Sequence, residues 1–600
     1  MSATHTVPPV SAGPPHRTHR PAPPVRAGQV VAAQVAVAAL VAGVGRGVLV
    51  TAAALLLAAV LVPAAWVRVR GRWLFEWLAV GTAHLTRRRA LPAASGPAAL
   101  LELTRPGAAV HEAELAGGPA AVLEDAAGLT ALLEIGDPDD LLGDGPQELP
   151  SPLGLLPPAG PESPPVRIQL LCSASPAPAP IAGAGTAGTS YRQLTDGRLA
   201  GRVRVVLAVR ALRADGWSDD ELRRSLSGTV RRIVRRLGPL TGRPLGGPAA
   251  LRVMAELAHH DGAPVRESWP AVHVGGLPQA TWRLRRWPEP RTDAARRFVP
   301  RLLALPATAT TVALCVGPRA GTESVPTPAE LTVRLAAHTT VELSVAERAL
   351  RRLAGDLGAD LRRLDGEHLI GLAATLPLAV ARPDAPPIGP EPADLEFALG
   401  ESGLMVGANR HGGAVTVRLF RPTTTRLLLV GGVRAAQLLT LRALALGARV
   451  AVQTTRPRVW EPFVRGLGTP GGAVPLVPPG RPVGGAPGSP LSPLLLVVDA
   501  GPVPPEAGPA AAWQSVLMVR DELTPADTAA LARADLAILQ PLDPGEAALA
   551  GAALGLGGSA EWLTRIRDDM VAVVNRRALR WALLSPTPIE SQLVGRPVRH

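Results

Sequence analysis

Lysine is absent from all 600 residues, so every one of the 62 basic residues counted as lysine or arginine is an arginine. That excludes a Schiff base with a carbonyl substrate, a pyridoxal phosphate linkage and the lysine of a phosphate-binding loop. Arginine binds phosphate, but it does not give up its proton to act as a nucleophile. Cys172 and Cys315 are the only cysteines, too few for a disulfide framework or a thiolate zinc site. Both lie in apolar, strand-like runs and are expected to be buried packing residues. Aromatic residues make up 3% of the chain, leaving few platforms on which bases could stack. The net charge of +13 therefore does not point to nucleic acid. Many arginines flank the apolar start of the chain or share helix faces with acids, and anionic lipid headgroups suit that distribution, at about 1 kcal/mol per residue near the surface.

Long apolar runs are plentiful at the start. Ala27 to Gly45 and Gly47 to Val67 are separated only by Arg46, and each is close to the ~20 residues a helix needs to cross ~30 Å of hydrocarbon. So short a join predicts an antiparallel transmembrane hairpin; a secretory signal would carry one shorter apolar core and a cleavage site. Arg17, Arg20 and Arg26 precede the first run, and Arg68, Arg70 and Arg72 follow the second. Basic flanks remain cytoplasmic. Arg26, Arg68, Arg70 and Arg72 are thus the membrane-orienting residues of a multi-pass protein of the cytoplasmic (inner) membrane, with both termini and the bulk of the chain cytosolic. Gln29 and Gln34 are polar groups that lipid cannot satisfy and should face another helix, with headgroup depth favoured for Gln29. Trp66, Trp73, Phe75 and Trp77 suit the interface or a partner's surface, and the stripe from Arg72 to Leu78 reads as a continuation of the second helix.

Composition divides the chain into a disordered basic tail (1–26), the hairpin (27–67), a basic and aromatic juxtamembrane segment (68–90), a cytosolic α/β domain (91–388) and a second α/β domain (389–600). In the first domain, Ala131–Ile135, Val166–Cys172 and Val203–Val209 read as strands. Ser218 with Glu221 forms a capping box opening a helix whose apolar residues share one face and whose arginines, Arg223 to Arg236, take the other. Leu331–Leu335 and a helix capped by Ser344 and Glu347 repeat the pattern. A Pro-rich stretch from Pro383 to Pro392 reads as a linker. Farther on, Leu427–Val430, Ala435–Leu446 and Val450–Gln453 form a βαβ unit of parallel type. Leu494–Val498, Val516–Val519 and Leu536–Leu539 add buried strands to a doubly wound sheet.

The turn after Leu427–Val430 invites comparison with G-x-x-x-x-G-K-[ST]. Gly431 and Gly432 open it, but Ala436 stands at the second glycine, Gln437 at the lysine and Leu438 at the magnesium-binding hydroxyl. Asp499 ends a strand where a magnesium-organising acid would sit. The loop is degenerate, which leaves nucleotide sensing as the reading such a scaffold still allows. Asp137 and Asp139 form a D-x-D pair after a strand, the basis for a rival reading as a membrane-tethered sugar-nucleotide-dependent enzyme; a solvated loop is the plainer expectation. His259 and His260 end an apolar helix, where a helix-terminal role is favoured over metal binding. No cofactor and no metal are expected.

Taken together, the close-spaced hairpin, the segment Arg72-Trp73-Leu74-Phe75-Glu76-Trp77-Leu78, the strand Val203–Val209 with its arginine-studded helix, and Leu372-Ala373-Ala374-Thr375-Leu376-Pro377-Leu378 resemble EccE, a membrane component of the actinobacterial type VII secretion system. The resemblance runs from about Arg26 onward. It implies a non-catalytic subunit that assembles with EccB, EccC and EccD and supports protein export while EccC supplies the motor. Leu404 to Gly432, with Gly407, Gly412 and Gly413, is similar to the approach to the nucleotide loop of FtsK-type ATPases. The fold class expected is therefore α/β cytosolic domains behind a transmembrane hairpin, ending in a degenerate nucleotide-fold-like sheet.

Overall fold

A computed structural model describes residues 27–599 apart from 70–71, 138–139, 144–146, 159, 161–162, 184, 239, 289–295, 320–326, 383–386, 389–394, 396, 400, 469–473, 502–510 and 577. The basic tail, Arg26, Arg70 and Asp139 lie outside the described residues. The chain divides into two units, Met1–Arg87 and Arg88–His600.

The first unit begins with α1 (Ala27–Gly43) and α2 (Val48–Trp66). Among the described residues, α2 is the helix long and apolar enough to cross a membrane, with a mean hydropathy of 2.6. α1 is shorter than the sequence predicts. The turn takes the four residues between Gly43 and Val48, with Gly45 and Gly47 at positive φ, and at 17 residues α1 spans about 26 Å at ~1.5 Å per residue. The helices lie side by side in opposite directions. Gln29 Nε2, near the start of α1, donates to the Ala65 carbonyl near the end of α2 (2.9 Å), while Thr51 Oγ1 donates to the Gly43 carbonyl (2.9 Å). A Cβ on Gly43 would lie 2.8 Å from the Ala54 Cβ, so glycine permits the close approach. Gln29 is thus buried against α2, whereas Gln34, expected to face a helix, is exposed.

The stripe after α2 does not continue that helix. Val67 is extended, Arg68 and Val69 pair antiparallel with Trp73 and Arg72, and a new helix, α3 (Leu74–Thr86), starts with the Trp73 amide donating to Glu76 Oε2 (3.2 Å).

The second unit holds two large sheets. Among the described residues the first has fourteen strands, including β1 (Gly128–Ile135), β2 (Val166–Pro176), β3 (Ala200–Leu212), β4 (Leu277–Arg286), β5 (Ala309–Val316) and β6 (Thr327–Ala336). Their order is β4-β6-β5-β2-β3-β1, and every pairing along that path is antiparallel. The near-continuous apolar runs come from helices on both faces. Leu129, Leu133, Leu207 and Val209 pack with α4 (Asp219–Leu237) and α6 (Thr340–Asp356), and Leu132 and Val206 with α5 (Gly247–Ala258). α4 opens with the expected capping box, the Ser218 amide donating to Glu221 Oε2 (2.8 Å). α6 starts four residues before Ser344, because Thr339 caps it by accepting from the Glu342 amide (3.1 Å). Within the Pro-rich stretch, Pro387–Ile388 pairs with Thr327–Pro328 of β6.

Among the described residues the second sheet has ten strands. β7 (Leu404–Ala408), β8 (Thr425–Val430), β9 (Arg449–Thr454), β10 (Leu494–Asp499), β11 (Gln514–Arg520), β12 (Leu536–Leu539), β13 (Met570–Val574) and β14 (Leu579–Leu583) run in the order β7-β14-β13-β12-β8-β11-β10-β9. β12, β8, β11, β10 and β9 are mutually parallel, as the sequence predicts. The helix α7 (Val433–Ala445) carries the chain from β8 to β9, which are not neighbours: β11 and β10 lie between them. Leu427 and Leu429 face α7 and α8 (Pro457–Gly466). Leu428 and Val430 face α9 (Pro544–Leu554) on the other side. The sheet is therefore wound on both faces.

The two sheets are stapled together. Tyr191, in the helix Thr186–Thr195, accepts from the Met405 amide (2.9 Å) and donates to the Gly403 carbonyl (3.2 Å).

Candidate functional site

In open α/β sheets, ligands sit beyond the carboxyl ends of the strands where the connections reverse direction. Here that place is the end of β8, because β8 connects in one direction to β9 and β11 crosses back past β8 to β12. Gly431 and Gly432 follow β8. Neither has a positive φ, so the turn does not use glycine for left-handed backbone. A Cβ on Gly431 would lie 2.3 Å from Gln540 Oε1, and one on Gly432 would lie 3.1 Å from the Val598 carbonyl oxygen. Both glycines make room for the protein's own chain.

Gln540, just after β12, accepts from the Gly432 amide (2.8 Å) and donates to the Pro597 carbonyl. Arg434 donates to the Arg596 carbonyl (3.5 Å). Arg599 donates to the carbonyls of Asp521 (2.9 Å) and Pro541 (2.8 Å) and to Glu546 Oε2 (2.7 Å). Burial alone would raise the Glu546 pKa, but Arg599 and the amides of Leu523 and Asp543 outweigh it and hold the carboxyl below its usual range. The last residues of the chain thus lie across the end of β8.

The remaining loop residues are also committed. Gln437, at the lysine position, is buried and donates to the Val459 carbonyl (3.0 Å). Leu438, at the hydroxyl position, packs in the core beneath the sheet. Asp499 is buried and accepts from Trp460 Nε1 (2.8 Å), Thr454 Oγ1 (3.1 Å) and Arg456 Nη2 (2.7 Å). Arg456 also reaches Asp521 (2.6 Å), and its hydrogen bonds to Asp499 and Asp521 push its pKa above the ordinary arginine value. The oxygens of Asp499 are thus already engaged by these donors rather than presented to a magnesium ion. Arg456, Gln540 and Arg599 were not singled out in the sequence; the signal for Arg456 was its place just beyond β9.

The other sequence-marked residues fall elsewhere. Arg68 and Arg72 stack on Trp73 (4.5 Å) and Trp77 (5.1 Å), and Trp77 Nε1 donates to the Val69 carbonyl (2.9 Å). Arg72 is buried within its own unit, while Arg68 and Trp66 are exposed and Phe75 is half-buried. His259 caps α5 in a left-handed conformation, and burial, reinforced by Arg334, drives its pKa down to about 3. Its neighbour His260 contacts the Ser95 carbonyl through Nε2 (2.8 Å). Among the described residues, no group of three His, Cys, Asp or Glu side chains is placed to hold a metal. No family model matches the chain, and no curated protein is significantly similar to it.

Proposed function

We propose that this chain is a non-catalytic structural subunit of a type VII protein secretion complex, similar to EccE. In this reading α1 and α2 cross the cytoplasmic membrane as a hairpin. Both termini and the two sheets are cytosolic, anionic lipid meets the basic flank, and EccB, EccC and EccD are the partners. The observation that carries it is the outer surface of the helix pair: Val41, Leu49 and Leu56 are 70%, 87% and 69% exposed, an apolar surface that water does not tolerate and lipid does. The internal hydrogen bond of Gln29 supports the same reading, since lipid offers no partner for an amide.

The second sheet reads as a lapsed nucleotide fold. Its reversal point supports a nucleotide ancestry, while residues 596–599 lying across the turn, the buried Gln437 and the hydrogen-bonded Asp499 support the loss of phosphate and magnesium chemistry. Co-purification in mild detergent tests the proposal. Recovery with other membrane subunits of a secretion complex is expected, whereas a solitary protein with metal-dependent turnover of a sugar nucleotide would overturn it.

A further inference from the structure

Between the two sheets of the second unit lies a cavity of about 300 Å³, at the lower end of the range that holds small organic ligands. One wall comes from the start of β3 and the loop before β5, the other from the chain between β7 and β8 and the residue before β11. Leu419 and Leu446 contribute apolar surface.

What sets this cavity apart is the polarity of its unmet hydrogen bonds. Arg202, in β3, stacks its guanidinium on Trp513 at 4.3 Å. Its nearest carboxylate oxygen, on Glu256, is 3.6 Å away, beyond hydrogen-bond reach, and Glu256 already accepts from Arg204. Burial, reinforced by the neighbouring Arg204, lowers the Arg202 pKa to about 10, so it stays charged at neutral pH while its charge is incompletely offset. Across the cavity, Arg418 Nε is buried without a partner, as is the Thr308 hydroxyl, and both residues line the same space. The guanidinium groups are donors with no acceptor capacity, and the hydroxyl can also donate. Three carboxylates also line the cavity, Glu134, Asp137 and Asp140, and none of them is free: Glu134 is held by Arg204 (2.6 Å), Asp140 Oδ1 accepts from the Leu142 amide (3.3 Å), and Asp137 is engaged as well.

We infer that this cavity is a binding site for a small organic oxyanion, a carboxylate or phosphate carried on an apolar body, held by Arg202, Arg418 and Thr308 with the body against Leu419 and Leu446. Arginine presents paired N–H groups that match the oxygens of either anion. The site is separate from the end of β8 and does not depend on the secretion-subunit reading.

Isothermal titration of the full chain in mild detergent tests it, with 1-naphthoate and 1-naphthyl phosphate as anionic probes and 1-naphthol as the neutral control. Saturable, stoichiometric binding of at least one anion is expected, and the stronger of the two tells a carboxylate site from a phosphate site. Arg202→Gln and Arg418→Gln should each weaken it by about tenfold or more, as expected for charge-assisted bonds, and 1-naphthol should bind no better than to empty micelles. Should Arg202→Gln fail to fold, Arg418→Gln and the exposed rim substitution Ile181→Trp carry the test. No saturable binding of either anion, equal binding of 1-naphthol, or affinity indifferent to these substitutions would overturn the inference.

Discussion

Arg442 and Glu590 form a two-pronged ion pair, Nε to Oε1 at 2.9 Å and Nη2 to Oε2 at 2.8 Å, across 148 residues of sequence and with both side chains sealed from solvent. Arg442 sits in the last turn of α7. Glu590 lies in the final helix, α10 (Pro588–Val594), where it also accepts from the Thr587 amide (2.9 Å). The same guanidinium donates to the carbonyls of Val406 (2.7 Å) and Leu584 (3.0 Å), so it ties β7, β14 and the end of the chain together.

Removing one partner of such a pair strands the other charge in the core. Arg442→Met should cost about 3–5 kcal/mol, read as a fall in the urea midpoint of the full chain in detergent. Adding Glu590→Leu should recover part of that loss. A cost below about 1 kcal/mol for the single change would show that the pair is far less buried than described.

The end of β8 yields a prediction about nucleotide. With the Gly432 amide held by Gln540 and Asp499 held by Arg456, millimolar Mg-ATP should not shift the melting temperature, although a ligand at about 100 times its dissociation constant adds ~2.7 kcal/mol. Installing glycine, lysine and serine at Ala436, Gln437 and Leu438 should still give no shift, because the residues from Arg596 to Arg599 continue to cover the turn. A clear upward shift in the parent protein would contradict the lapsed-fold reading, whereas a shift gained only in the restored protein would support the lapsed fold and show that residues 596–599 do not block the turn.

Stability should decline with acid in two stages. His259 is neutral in the fold down to about pH 3, whereas the unfolded side chain takes up a proton near 6.5. The unfolded state therefore binds more protons between those values, and stability falls as pH drops through that window. Glu546, Asp125 and Asp527 have depressed pKa values. Their contribution is fully present above about pH 4 and is lost as pH falls through their lower folded values. Denaturation of Glu546→Gln should show a shallower fall at the acid end alone; a profile identical to the parent's would remove Glu546 from the account.

Topology is open to cysteine labelling because the native thiols are silent. Burial pushes Cys172 and Cys315 up to about 12, and both are fully buried. In intact cells an impermeant maleimide should therefore modify Arg46→Cys and leave the parent protein unmodified. A reporter fused after His600 should be active only as a cytosolic probe. Labelling of a cysteine placed on the exposed face of α4, at Arg232, would reverse the proposed orientation.

Much of the second sheet was legible from sequence, because parallel strands buried on both faces read as uninterrupted apolar runs such as Leu427–Val430. In the first sheet the strands were legible too, but their antiparallel pairing was not. Its antiparallel strands are also covered on both faces, which removes the alternation that ordinarily marks them. Helix starts were legible where a single capping residue competed, as at Ser218, and were missed where Thr339 stood upstream of Ser344. Gln437 and Leu438 depart from a phosphate loop in the sequence itself. What could not be seen was that residues about 160 positions later fill the space, since contacts of that separation leave no local pattern.

Tyr191 is the chain's single tyrosine, and its hydroxyl sits where the two sheets meet. Burial raises its pKa to about 12, against about 10 for a free phenol. The protein thus carries an intrinsic optical gauge of its own assembly. In an alkaline absorbance titration, phenolate would appear near pH 12 while the sheets remain docked, and about two units earlier once they part. Because no second tyrosine contributes, the phenolate signal would time the separation of the two halves without any added label.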